Sequence, residues 1–152
     1  MEKKEIQAFI EETFAWLHAH PELSYEEHET TAKLKELLES SGICMLEVPL
    51  ETGLVAEVGR ARSPLVAIRA DIDALPITEE TGLPYASQNK GKMHACGHDF
   101  HTAAVLGAAL LLKEREEELP GRTRILFQPA EEAPGGAKKV LAKGALGRSV
   151  ND

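Results

Sequence analysis

Residues 93–100 read MHACGHDF, a thiol between two imidazoles with a carboxylate close behind. Two further stretches carry chemistry-capable side chains: RADIDALP at 69–76 and PAEE at 129–132. Cys96, His98 and Glu132 offer thiolate, imidazole and carboxylate, donors that Zn²⁺, Mn²⁺ and Ni²⁺ accept. Gly97 permits the backbone turn that lets Cys96 and His98 converge. Asp71 and Asp73 are two residues apart, so on an extended chain both face one side. They can bind a cation or orient a neighbouring ligand, or simply cap backbone N–H groups at a strand end. Glu131 and Glu132 point in different directions, so one can ligate a metal while the other carries a proton. The proline before the pair and the glycines after it suit a fixed loop rather than two solvated carboxylates.

Other readings stand beside these. Cys96 can be a buried free cysteine and His98 a helix-start histidine. Cys96 with His98 as base would be a thiol nucleophile, but that leaves RADID and PAEE without a role. His101 follows His98 by one helical turn and can pack beside it without touching metal. His94 reads as a loop histidine, Cys44 as a buried strand residue, and His18, His20 and His28 as structural.

Helices and strands must bring these stretches together. Ile6, Phe9, Ile10, Phe14 and Leu17 recur at helical spacing up to Pro21. Ser24 and Glu27 spell a capping box that opens a second helix through Leu34, Leu37 and Leu38, ending at Gly42. Three strand-like runs follow: ICMLEV, LVAEVG and PLVAIRA, the last apolar enough for a strand buried on both faces. Residues 74–95 read as a long irregular loop, of the kind that is usually functional. A helix over 98–118, a strand in GRTRILFQ and a short helix in AKKVLAKG complete the chain. The fold class is α/β, a layered domain with a mostly buried sheet flanked by helices. RADID and PAEE then sit at carboxyl ends of strands, where open α/β sheets bind ligands, and HACGHD opens a helix.

The 152 residues suit one domain, with 43% hydrophobic and 28% charged residues. A net charge of −8 disfavours nucleic acid and anionic membranes as partners. The longest apolar run, AAVLGAALLL, is ten residues, short of the roughly 20 a membrane-spanning helix needs. No signal peptide is visible and two cysteines make no disulfide framework, so the expected location is cytoplasmic.

The segments WLHAHPELSYEEHETT, RADIDALPI, HACGHDFHTAAVLGAALLL and ILFQPAEEAPGGA, in this order, resemble the M20 metallopeptidase family, nearest its amidohydrolase branch. That resemblance implies the amino-terminal part of a di-metal catalytic domain. Its substrates would be small N-acyl amino acids and its cofactors two divalent ions, Mn, Zn, Ni or Co. It implies Cys96, His98 and Glu132 as metal ligands, Glu131 as general base, and Asp71 and Asp73 as an acidic pair supporting the site, Asp73 counted with the catalytic groups. The family's further histidine ligands, inserted dimerisation domain and carboxyl-terminal half have no counterpart in these residues. The alternative expectation is therefore a truncated, catalytically incomplete remnant or metal-binding fragment.

Overall fold

The computed structural model describes residues 3–60 and 63–147. Helix α1 (Lys3–Ala19) and helix α2 (His28–Ser40) precede strands β1 (Cys44–Leu46), β2 (Leu54–Val58) and β3 (Leu65–Asp71). Helix α3 (His98–Glu114), strand β4 (Arg122–Gln128) and helix α4 (Gly136–Ala142) follow. The sheet order is β1-β2-β4-β3; β4 runs antiparallel to β2 and parallel to β3. The β3–α3–β4 crossover places the carboxyl ends of two adjacent strands side by side, with Asp71 opposite Gln128. Leu34, Leu38, Ile72, Leu106, Ile125 and Phe127 anchor the core between the sheet and helices α1 to α3. A smaller cluster of Val55, Leu126, Val140 and Ala145 covers part of the other face under α4. This is the layered α/β arrangement expected from the sequence.

Several local expectations are corrected. β3 is not buried on both faces: it is an edge strand, with Leu65 and Val66 exposed, and β4 holds the central place. An apolar run alone cannot tell a central strand from an edge strand whose far side is open. Cys44 is exposed on the short edge strand β1. Helix α3 ends at Glu114, and Glu116–Glu118 form a separate 3₁₀ turn.

The capping box is not made either. Ser24 donates instead to Asp73, and the first turn of α2 is capped by the buried Glu22 carboxylate, which accepts from the N–H groups of Glu29 (3.1 Å) and Thr30 (2.8 Å). Glu27 is fully buried and accepts from the Ala130 N–H at 2.7 Å, reaching across to the PAEE loop. Residues 74–95 hold no helix or strand; isolated bridges join Leu23 to Ala74 and Leu75 to Met93.

Candidate metal centre

Each of the three polar stretches is positioned by a different element. RADID leaves the end of β3, PAEE leaves the end of β4, and HACGHD enters α3. Gly97 adopts φ 79° at the N-cap of α3, a left-handed conformation that costs a side-chain-bearing residue free energy. That turn lets Cys96 and His98 approach the sheet from one side. Ala130, before the glutamate pair, also has positive φ (54°), held there by the bond from its N–H to Glu27. Behind it Gly136 packs so closely that a Cβ would sit 2.1 Å from the Ala130 carbonyl oxygen. The PAEE loop is therefore clamped from two directions.

Asp73 is the hub. Its side chain is fully buried. One carboxylate oxygen accepts from the Glu131 N–H (3.0 Å); the other accepts from the Ser24 hydroxyl (2.7 Å) and the Glu132 N–H (3.0 Å). Burial alone would raise its pKa, but these bonds and that with His98 hold the carboxyl well below the usual carboxylate range. The structure thus places Asp73 against backbone and His98, with its oxygens occupied. Asp71 is paired with Arg69, and its carbonyl accepts from the Thr102 hydroxyl at 2.8 Å, tying β3 to the first turn of α3.

His98 lies within this frame, its side chain 6% exposed. Its Nδ1 is 2.9 Å from the Asp73 carbonyl oxygen, so that nitrogen donates and fixes the tautomer. Its Nε2 then faces three carboxylates: Glu131 at 3.7 Å, Glu132 at 3.8 Å and Asp71 at 3.9 Å. These separations are too long for hydrogen bonds and suit donors that share one ion at about 2.0–2.2 Å each. An Nδ1–H given to a backbone carbonyl is the usual support for a histidine that ligates through Nε2.

Among the described residues, two trios present ligand atoms within 4.8 Å of one another: His98, Glu131 and Glu132, and Asp71, His98 and His101. Cys96 belongs to neither. Its thiol faces Glu132, and that hydrogen bond, with burial and the nearby negative charges, pushes its pKa up. Glu132 is thus the link between the Cys96 thiol and the His98 ring. The Glu131 side chain is 41% exposed and that of Glu132 25%, so Glu132 sits deeper and Glu131 nearer the open side. His101 is exposed, its ring 5.8 Å from that of His98.

The electrostatics favour a cation. The hydrogen bond that His98 donates to Asp73, working against burial and aided by Asp71, raises His98 to about 9. Without metal, the imidazolium proton is the charge that these carboxylates collect. The unfolded value of His98 lies near 6.5, so its stabilising contribution is complete below about 6.5 and is lost as pH rises through about 9. Metal-free chain should lose on the order of 2–3 kcal/mol of unfolding free energy between pH 6.5 and 9.5. Urea unfolding at both pH values checks this; equal midpoints would contradict it.

Two histidines have surroundings that the sequence does not show. His94 lies in the loop as expected, but it is buried, neither ring nitrogen has a hydrogen-bond partner, and burial pushes its pKa down to about 4. His18 is buried between two carboxylates, whereas His20 does stack on Trp16, 4.5 Å between ring centroids, as a structural residue. A histidine one helical turn from Phe14 on the apolar side of α1 was the available signal for His18.

Comparisons with known proteins fit this geometry. A family model described as peptidase family M20/M25/M40 matches residues 67–151. The N-acetyl-L-cysteine deacetylase of Bacillus subtilis (strain 168) is 60% identical over 131 residues, covering 86% of this chain and 32% of that protein. The N-acyl-L-amino acid amidohydrolase of Geobacillus stearothermophilus is 44% identical over 155 residues, covering 96% of this chain and 42% of that protein. The crystal structure of the Bacillus subtilis YXEP protein, described as a dinuclear metal binding peptidase from the M20 family, superposes with a TM-score of 0.92 at 53% identity. It is matched over 95% of this chain and 41% of its own. The chain spans about a third to two fifths of the length of these relatives.

Proposed function

Because this chain belongs to peptidase family M20/M25/M40, we propose that its three polar loops form part of a metal centre that hydrolyses the amide bond of N-acyl amino acids. One observation carries the reading: His98 gives Nδ1 to the Asp73 carbonyl and turns Nε2 toward three carboxylates. Cys96, His98 and Glu132 would hold the ions. Bound divalent metal supplies a nucleophile from water near neutral pH and polarises the scissile carbonyl. Glu131, on the open side, accepts the proton as oxygen bonds to the carbonyl carbon, and returns it to the amine nitrogen as the C–N bond breaks. Asp73 positions: its carboxylate holds the backbone of both glutamates, and its carbonyl holds the His98 tautomer. Manganese, zinc, nickel and cobalt all suit this donor set.

Residues 1–152 would then be the amino-terminal part of a catalytic domain. Among the described residues no helix is long and apolar enough to cross a membrane. Two exposed free thiols, Cys44 and Cys96, suit a reducing, cytoplasmic setting, and the net charge of −8 speaks against a nucleic-acid partner.

A second reading is a chain that holds an ion without completing the reaction. It is favoured by the sparse donor set: three proposed ligands are few for a two-ion clamp. Purified chain with added Mn²⁺ or Zn²⁺ is expected to hydrolyse hippurate and N-acetyl amino acids no faster than a chelator-treated control. Chelator-sensitive turnover would show that His101 or a second copy of the chain completes the centre. The ion-binding part of the proposal is tested by the pH profile of stability. In saturating Zn²⁺ the alkaline loss should reverse, because the metal takes the place of the His98 and Cys96 protons. A profile unchanged by Zn²⁺ would sink it.

A further inference from the structure

His18, on α1, has a carboxylate at each ring nitrogen. Its Nδ1 is 2.6 Å from Asp99 and its Nε2 is 3.1 Å from Glu79. All three side chains are nearly closed to solvent, 9% exposed for His18 and 3% for each acid. Ionised carboxylates only accept hydrogen bonds, so an imidazole that satisfies both must donate from both nitrogens, as an imidazolium.

The two acids lead to different parts of the site. Asp99 follows His98 in the first turn of α3, and its other oxygen accepts from the Phe100 N–H at 2.8 Å. Glu79 organises the long loop: it accepts from the Ser87 N–H at 2.6 Å and from the Thr81 hydroxyl. The same loop is docked on the end of α1 by the Gln88 N–H to the Ala19 carbonyl (2.8 Å) and the Asn89 amide to the Pro21 carbonyl (2.9 Å). The rings of Phe14 and Tyr85 close over His18 at 5.8 and 5.4 Å. None of these bonds involves Glu131 or Glu132.

We propose that His18 is a positioning residue: by bridging Asp99 to Glu79 it fastens the loop that leads to Cys96 onto the helix that begins at His98. Its consequence for metal affinity rests on the metal-centre reading; the bridge itself does not. Removing the imidazolium would leave two buried carboxylates with no cation between them, and the loop would swing out to hydrate them. The groups facing His18 are Asp99 from α3 and Glu79 and Tyr85 from the loop, with the uncharged His94 nearby. Burial lowers the His18 pKa, but the bonds to Asp99 and Glu79 outweigh it and raise the value above the ordinary one. The bridge therefore holds to higher pH than an ordinary histidine would allow, and opens as pH rises through the His18 pKa.

The test uses the full metal-free chain. ¹⁵N NMR of the His18 ring should show both nitrogens protonated at pH 7, and one unprotonated nitrogen there would overturn the bridge. Trypsin cuts the loop at Lys90 and Lys92, and His18→Gln should be cut about tenfold faster at pH 7. Adding Glu79→Gln to His18→Gln should restore much of the protection by removing one uncompensated charge. Equal cutting of the single and double variants would mean that volume, not the bridge, holds the loop. Where His18→Gln fails to fold, Glu79→Gln alone provides the readout: faster cutting supports the bridge, and wild-type cutting overturns it. Co²⁺ affinity should fall about tenfold in His18→Gln. Wild-type chain that binds no Co²⁺ would refute the metal centre, while ring protonation and loop cutting would still decide the bridge.

Discussion

Asp73→Ala is expected to lose on the order of 3–5 kcal/mol of stability, together with most of the chain's affinity for divalent metal. The size follows from what the carboxylate touches. It accepts from the Ser24 hydroxyl and from the N–H groups of Glu131 and Glu132, and it lies 3.3 Å from His98 Nδ1, its own side chain fully closed to water. Alanine leaves those partly buried donors without their acceptor and the buried His98 without its nearest negative charge, the situation that makes removal of one partner from such a network costly. Against a typical total of about 5–15 kcal/mol, that is a large fraction. Metal affinity should fall at least 10–100-fold, because the glutamate backbone and the His98 ring lose their support together. Asp73→Asn keeps the shape but sets an NH₂ against one donor set, so its losses should be intermediate. Urea midpoints and metal titrations check both variants. An Asp73→Ala chain within about 0.5 kcal/mol of the parent would show that the PAEE loop is held some other way.

Glu131→Gln, made in a complete relative that carries the PAEE segment, is expected to lower kcat by about 10²–10⁴-fold with metal content unchanged. Glutamine matches the shape of glutamate but cannot take the proton. The loss should therefore fall on kcat rather than KM. Exposure supports this division of labour, since the Glu131 side chain is more open than that of Glu132. Retained turnover with lost metal would mean that the two glutamates have exchanged roles.

The fold class was legible in the sequence because the β3–α3–β4 unit announces itself through alternating apolar strands and a long amphipathic helix. The gathering of RADID and PAEE was legible for the same reason: both follow strands, and a crossover unit sets parallel strand ends together. Which strand lies at the edge was not legible. β3 is as apolar as a central strand, and only the order β1-β2-β4-β3 leaves its far side open. The cap of α2 went to Glu22 because Ser24 is drawn to Asp73, a partner 49 residues away that no local pattern reveals. The carboxylate partners of His18 are hidden from the sequence for the same physical reason, since they lie 81 and 61 residues along the chain. Cys96 and Glu132 stand out in the sequence by donor type, but the thiol pKa raised by Glu132 emerges only when the two loops meet.

That thiol offers the most direct test. In the metal-free chain the carboxylates around Cys96 disfavour its thiolate, so only a bound cation should hold the sulfur deprotonated near neutral pH. Co²⁺ added to the purified chain at pH 7.5 (about one unit below the ordinary thiol value) should produce a sulfur-to-cobalt charge-transfer band in the near ultraviolet. The band should vanish in Cys96→Ser, persist in Cys44→Ser, and require higher Co²⁺ in His98→Asn and Glu132→Gln. A Co²⁺ complex with no such band, or one that survives Cys96→Ser, would contradict a metal centre built on Cys96, His98 and Glu132.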